Sequence, residues 1–247
     1  EPFEFVKILT YLDKSDSPIV KENIMMVELL FYNYIRHDVN LRHFQLFYGI
    51  LHNPSTMLEL IKLAWLPDNE QAKEIRKNEF AKNKNLSSIA KIALEILHGL
   101  EAQPCENNNG VVNGQDLKKY AKELLEAAKS EYLERPAMYV IGKLLGNINL
   151  GEDYPPPYLG EILEELDKDE IYDEYRRQLF NRHGFTCRAY NEGGTIERKR
   201  EKKFLSYAEK TRFTYDRITI VFEKLASEYH HMGDREDVNA KLEDLDN

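Results

Sequence analysis

The sequence predicts an all-α protein, an irregular helical array or solenoid-like bundle of about ten to twelve helices. Three observations predict it. Leu, Glu, Lys and Ala fill long windows at helical spacing, the twelve glycines cluster in a few connections, and strand-period alternation is scarce throughout.

Taken in order, Phe5, Val6, Leu9 and Leu12 share one stripe of a short helix over 3–12. Ser17 is placed to cap a second helix, opened by Pro18 and running to about Arg36. Its apolar set (Ile24, Val27, Leu30, Phe31, Tyr34, Ile35) is wide enough to predict burial on more than one side. Residues 41–51 follow, then 57–65 after Asn53-Pro54-Ser55, closed by Pro67. The polar stretch 70–83 reads as a solvated helix, and Ser87 or Ser88 is expected to cap 89–100.

After a long loop at 101–114 comes a strong helix over 116–133, with Lys119 and Glu123 four residues apart. Pro136 is expected to open a short apolar helix over 137–145. A second loop, 146–157, ends in three prolines that cannot continue a helix. Helices over 158–166 and 170–181 lead to a glycine-broken basic stretch, 181–203. Two or three helices then fill 196–245, with Ile218, Val221, Phe222, Leu225 and Tyr229 as the clearest stripe and a break expected at Gly233-Asp234. No fixed repeat period appears, so tetratricopeptide and HEAT motifs are not supported. The organisation expected is an N-terminal helical subdomain over 1–100 and a C-terminal one over 115–247, with a single continuous helical body as the alternative.

The 247 residues carry a net charge of −9, an unfavourable balance for non-specific nucleic-acid or membrane binding. Two distant cysteines, Cys105 and Cys187, build no disulfide framework and fit a reducing, cytoplasmic setting. No signal peptide is visible, and no apolar run approaches the roughly 20 residues of a membrane span. The start at Glu1 rather than Met reads as a fragment of something longer.

Motifs that carry chemistry are weak. Cys105 to Asp116 can be laid on a calcium-loop template, with Asn107, Asn109, Gly110, Val112 and Asp116 at its positions. It has too few carboxylates, and an Asn/Gly turn capped by Asn113 or Gly114 explains it better. His37-Asp38 lacks supporting metal ligands, and His230 and His231, being adjacent, face different sides of a helix. His183 with Cys187 supplies a base and a thiol but no third group. No phosphate loop, dinucleotide pattern, zincin helix or serine elbow is present, and no cofactor is expected.

The basic stretch is the more informative signal. Residues 174–217 hold twelve Lys/Arg against six Asp/Glu, which leaves −15 for the remainder. Such asymmetry suits an acidic partner or a phosphate backbone, or else a solvated helix face paired with acidic helices of the same body around Glu161, Glu164 and Glu165.

Several segments also carry a resemblance. They are Leu51-His-Asn-Pro54 with Met57, Leu58, Leu60 and Trp65-Leu-Pro67; Gly110 to Tyr120 with its Gly-x-x-x-Gly-x-x-Leu start; Phe180 to Gly184 through Tyr190 to Gly194; and Leu225 to Tyr229 with Gly233 to Asp237. Over most of its length the chain resembles the C-terminal helical region of a family of very large, uncharacterised bacterial multi-domain proteins. That resemblance implies no catalytic residues. By analogy it implies a helical array that senses a partner.

The function expected is therefore a non-enzymatic scaffold or sensor module that contacts another protein or another domain of its own chain. The binding residues expected are Arg182, Arg188, Tyr190, Glu192, Arg198, Lys199, Arg200, Lys202 and Lys203, because Arg and Tyr dominate interface hot spots. Nucleic-acid binding through 174–217 is the second expectation, and a hydrolase using His183, Cys187 or an unrecognised metal site the third.

Overall fold

The computed structural model describes residues 7–9, 11–12, 17–36, 44–107, 110–152, 154–182 and 192–245. Among these the architecture is all-α, with no strand and one isolated bridge between Glu106 and Val112. Two compact units form, Glu1–Val140 and Ile141–Asn247, and the division falls inside a helix rather than in the loop at 101–114. No helix among the described residues is long and apolar enough to cross a membrane.

The first unit contains α1 (Pro18–Leu30), α2 (Tyr32–Ile35), α3 (Gln45–His52), α4 (Pro54–Ala64), α5 (Glu70–Lys82), α6 (Lys84–Gly99) and α7 (Gly114–Ser130). α8 (Glu134–Gly146) runs through the division. α4 is the hub, packing on α3, α6 and α7 through Met57, Leu58, Leu60 and Ile61. α5 buries no residue, as its polar sequence predicts.

Four helices of this unit start on an asparagine, and each side chain answers a free N–H of the first turn. Asn53 accepts from Ser55 N–H at 2.9 Å, Asn69 from Ala72 at 3.0 Å, Asn83 from Asn85 at 3.1 Å and Asn113 from Gln115 at 3.1 Å. The cap at Asn83 starts α6 at Lys84, ahead of the serines at 87 and 88, which lie inside the helix. α8 likewise begins at Glu134, before Pro136, because a proline in the first turn removes only an N–H that has no partner within the helix.

α3 has no such cap, since Phe44 stands at that position. The carboxylate of Glu28, buried on α1, takes its place. It accepts from Leu46 N–H at 2.6 Å and Gln45 N–H at 3.2 Å. A carboxylate on a helix N-terminus gains from both the hydrogen bonds and the helix dipole.

The second unit contains α9 (Pro157–Leu166), α10 (Asp169–Asn181), α11 (Thr195–Thr211) and α12 (Asp216–Leu245). α12 packs against α9, α10 and, most extensively, α11. Its stripe Ile218, Val221, Phe222, Leu225 and Tyr229 is buried as the sequence predicts. Phe204 of α11 stacks on Tyr229 at 5.7 Å and on Phe222 at 6.1 Å. The expected break at Gly233-Asp234 does not occur, and α12 continues to Leu245. A glycine inside a helix costs only about 1 kcal/mol relative to alanine, which helix packing on both sides of it offsets.

Replacing Glu28 by Ala should lower the urea midpoint by the equivalent of about 2–3 kcal/mol, since one buried and one part-buried N–H lose a charged acceptor. Trp65, the only tryptophan, lies in the same unit against His98 and Tyr139, so its fluorescence reports that transition. An unchanged midpoint would contradict the assigned role.

Candidate functional site

The start of α11 and the last third of α12 cross closely in the second unit. Gly193 turns the chain with φ +58, and Gly194 lies so near Gly233 that a Cβ on it would stand 2.4 Å from the Gly233 carbonyl oxygen. Only a glycine at 194 allows this approach, while a Cβ on Gly233 would crowd the Arg198 guanidinium, whose carbon would lie 3.1 Å away. The crossing brings together segments that lie forty residues apart in sequence, 192–201 and 230–237.

Arg198 sits at the centre of the crossing. Its Nη2 donates to Asp234 Oδ1 and, at 3.1 Å, to Asp237 Oδ2. Its Nη1 donates to Glu201 Oε2 at 3.4 Å and to the His230 carbonyl at 3.3 Å. His230 Nδ1 lies 3.0 Å from that same Nη1 and 2.9 Å from Glu201 Oε1, and its tautomer decides whether it accepts from the arginine or donates to the glutamate. Asp237 Oδ1 also accepts from Gly194 N–H at 2.7 Å, capping α11, whose own N-cap glycine has no side chain to do so.

These bonds set the titration of the two aspartates. The Arg198 guanidinium holds the Asp234 carboxyl below its ordinary 3.8, and the Gly194 N–H, followed by Arg198, does the same for Asp237. Chemically the arrangement is a clamp: each polar group is turned on another of the same two helices. Sequence reading placed Gly193-Gly194 and 233–237 among the informative segments but did not join them. The i, i+4 spacing of His230 and Asp234, with Asp237 three further on, is the signal that marks one helix face.

The other expected binding residues fall differently. Arg182 donates to the carbonyls of Ile148 at 2.8 Å and Gly146 at 3.1 Å. Arg200 lies over the Tyr229 ring at 5.6 Å and Lys203 over Tyr207 at 5.5 Å. The Glu192 carbonyl accepts from Thr195 Oγ1 at 2.8 Å. Lys199 and Lys202 are exposed on α11. Arg188 and Tyr190 lie outside the described residues, as do His37-Asp38, His183 and Cys187.

More cations of the basic stretch are also paired within the unit. Arg176 meets Glu228, Arg177 meets Glu174, Arg212 meets Glu223 at 3.0 Å and Arg217 meets Asp167 at 2.5 Å. Arg217 N–H in turn donates to Glu164 Oε1 at 2.5 Å, so a glutamate of α9 caps the start of α12. Between α10 and α12 a depression of about 260 Å³ is lined by Arg176, Arg217 and Lys224 but equally by Asp169 and Asp173.

In the first unit the loop 105–116 borders a surface pocket of about 420 Å³ lined by His52, Cys105, Glu106, Asp116 and Lys119, among others. Asn107 Oδ1 is used locally, accepting from Val111 N–H at 3.0 Å, and Asn113 caps α7. Burial, with Asp116 adding to it, pushes the Cys105 thiol up to about 11, so it stays protonated at neutral pH and is a poor nucleophile. Among the described residues no group of three or more His, Cys, Asp or Glu is arranged to hold a metal ion. No protein-family model, curated protein or solved structure matches the chain.

The clamp has a signed pH dependence. Asp234 and Asp237 are depressed, so their contribution is complete above 3.8 and is lost as pH falls through their lower folded values. Asp237→Asn should therefore be less stable than wild type at pH 6, with the gap closing as pH drops below 3.8, in urea titrations followed by circular dichroism. A gap that is the same at both ends would contradict the clamp.

Proposed function

We propose that this chain is a non-enzymatic helical scaffold or sensor module whose work is contact with another protein or another domain of a longer chain, made through the outer face of α1 and α2. The observation that carries the reading is an exposed apolar stripe. At 100° per residue Ile19, Met26 and Leu30 of α1 fall within about 40° of one another, on the side away from the buried Ile24 and Glu28, and Tyr34 of α2 is exposed as well. Ile19 is 71%, Met26 52%, Leu30 47% and Tyr34 59% exposed. Single exposed apolar residues are ordinary, but a contiguous stripe on one helical face is a docking signature.

The wide apolar set that predicts burial on two sides thus has only one side buried among the described residues. The pairing of Arg176, Arg177, Arg198, Arg212 and Arg217 with carboxylates of their own unit supports this reading over one in which the basic stretch serves a polyanion.

The test is affinity capture from an extract of the source cells, comparing wild type with Met26→Asp/Leu30→Asp. Both changes lie on the solvent side and should leave the melting temperature unchanged. Proteins held in stoichiometric amount by wild type and released by the variant are expected. An identical bound set would contradict the assignment, and salt-sensitive duplex binding lost on reversing the exposed Lys199 and Lys202 to Glu would move the function to nucleic acid.

A further inference from the structure

We propose that the occupant of the α1 face is a second copy of this chain, joined α1 to α1 in parallel and in register; this rests on the reading of that face as a docking surface. The spacing carries it. Ile19, Asn23, Met26 and Leu30 are separated by four, three and four residues, the d-a-d-a order of a two-stranded coiled coil. Asn23 then stands at an a position between apolar neighbours, the place where a single asparagine selects a two-stranded, in-register pairing because its best partner is the same residue of the other strand.

A hetero-partner with a purely apolar groove would bury Asn23 against nothing polar, which is costly. The second copy answers it with its own Asn23. Within the chain, Asn23 Nδ2 donates one N–H to the Ile19 carbonyl at 2.8 Å, which leaves its second N–H and the carboxamide oxygen for the facing Asn23. In a parallel pair each g position faces the other copy's e position; Glu22 stands at g, but the e positions, Val20 and Val27, are uncharged, so no like-charge g–e pair opposes the approach of two copies.

The available area agrees with the same occupant. Ile19, Met26, Leu30 and Tyr34, exposed by 47–71%, offer on the order of 500 Å² per copy, at the low end of the range and below the roughly 800 Å² per partner of a standard interface. Ile8, Tyr11 and Leu12 of the same unit are exposed as well. A short seam of this size suits a weak, reversible dimer rather than a permanent one.

The experiment uses the unmodified chain and the thioether of Met26 as its probe. Peroxide oxidation of Met26 is followed by mass spectrometry from about 1 to about 200 µM, a range that brackets micromolar dimers, beside sedimentation at the same concentrations. Met57, fully buried, is the internal reference. A dimer that appears on concentration, with Met26 oxidation slowing in step, is the expected result. Asn23→Asp should then abolish both changes by placing two like charges in the seam. Fast oxidation at every concentration in a monomer overturns the second copy but leaves the docking face standing. Slow oxidation at every concentration in a monomer means that the chain covers the stripe itself, and overturns both.

Discussion

A carboxylate from one helix that takes the free N–H groups at the start of another is the interaction on which this structure depends. Glu28 does this for α3, Glu164 for α12 and Asp237 for α11, over separations of 17 to 53 residues. A helix end without local capping leaves up to four donors without partners inside the helix. Supplying an acceptor from a distant helix fixes axial position as well as satisfying the donor, because the carboxylate must arrive at that turn and no other. Hydrophobic stripes alone hold helices together but permit sliding. The carboxylates remove that freedom within each unit.

Once the helices are held, what remains outward is decided. In the second unit much of the positive charge of 174–217 is paired with carboxylates, carbonyls and aromatic rings of the same unit, in part at the surface, with Lys199 and Lys202 left facing water. In the first unit Glu28 points α1 toward α3 and leaves the opposite side of α1, with its four-three-four spacing, exposed. A cap buried on one face and an apolar stripe on the other are thus two sides of one helix.

How much of this the sequence shows follows from the range of each interaction. Asn53, Asn69 and Asn113 cap the helices that begin beside them, and a reader can find such caps because cap and helix are neighbours. Asn83 was legible on the same rule and outranks the serines that follow it. Ile218 to Tyr229 was legible because a buried stripe has a period. Glu28, Glu164 and Asp237 were not, since nothing local distinguishes a glutamate that caps a helix fifty residues away from one that faces water. Gly233 misled for the same reason. Its surroundings are set by Gly194 and the Arg198 side chain across the crossing, so it reads as a break from one side and as a contact only when both sides are seen. The division of the chain was hidden because it falls within a continuous helix, where no change of composition marks it.

The most direct measurement of the account is amide hydrogen exchange at Leu46, Gly194 and Arg217, residue by residue. First-turn amides of a helix ordinarily exchange quickly, because they have no acceptor within it. The account predicts that these three are protected to the level of their helix interiors, and that Asn33, exposed in the short α2, is not. Exchange of all three at the rate of free first-turn amides would contradict it.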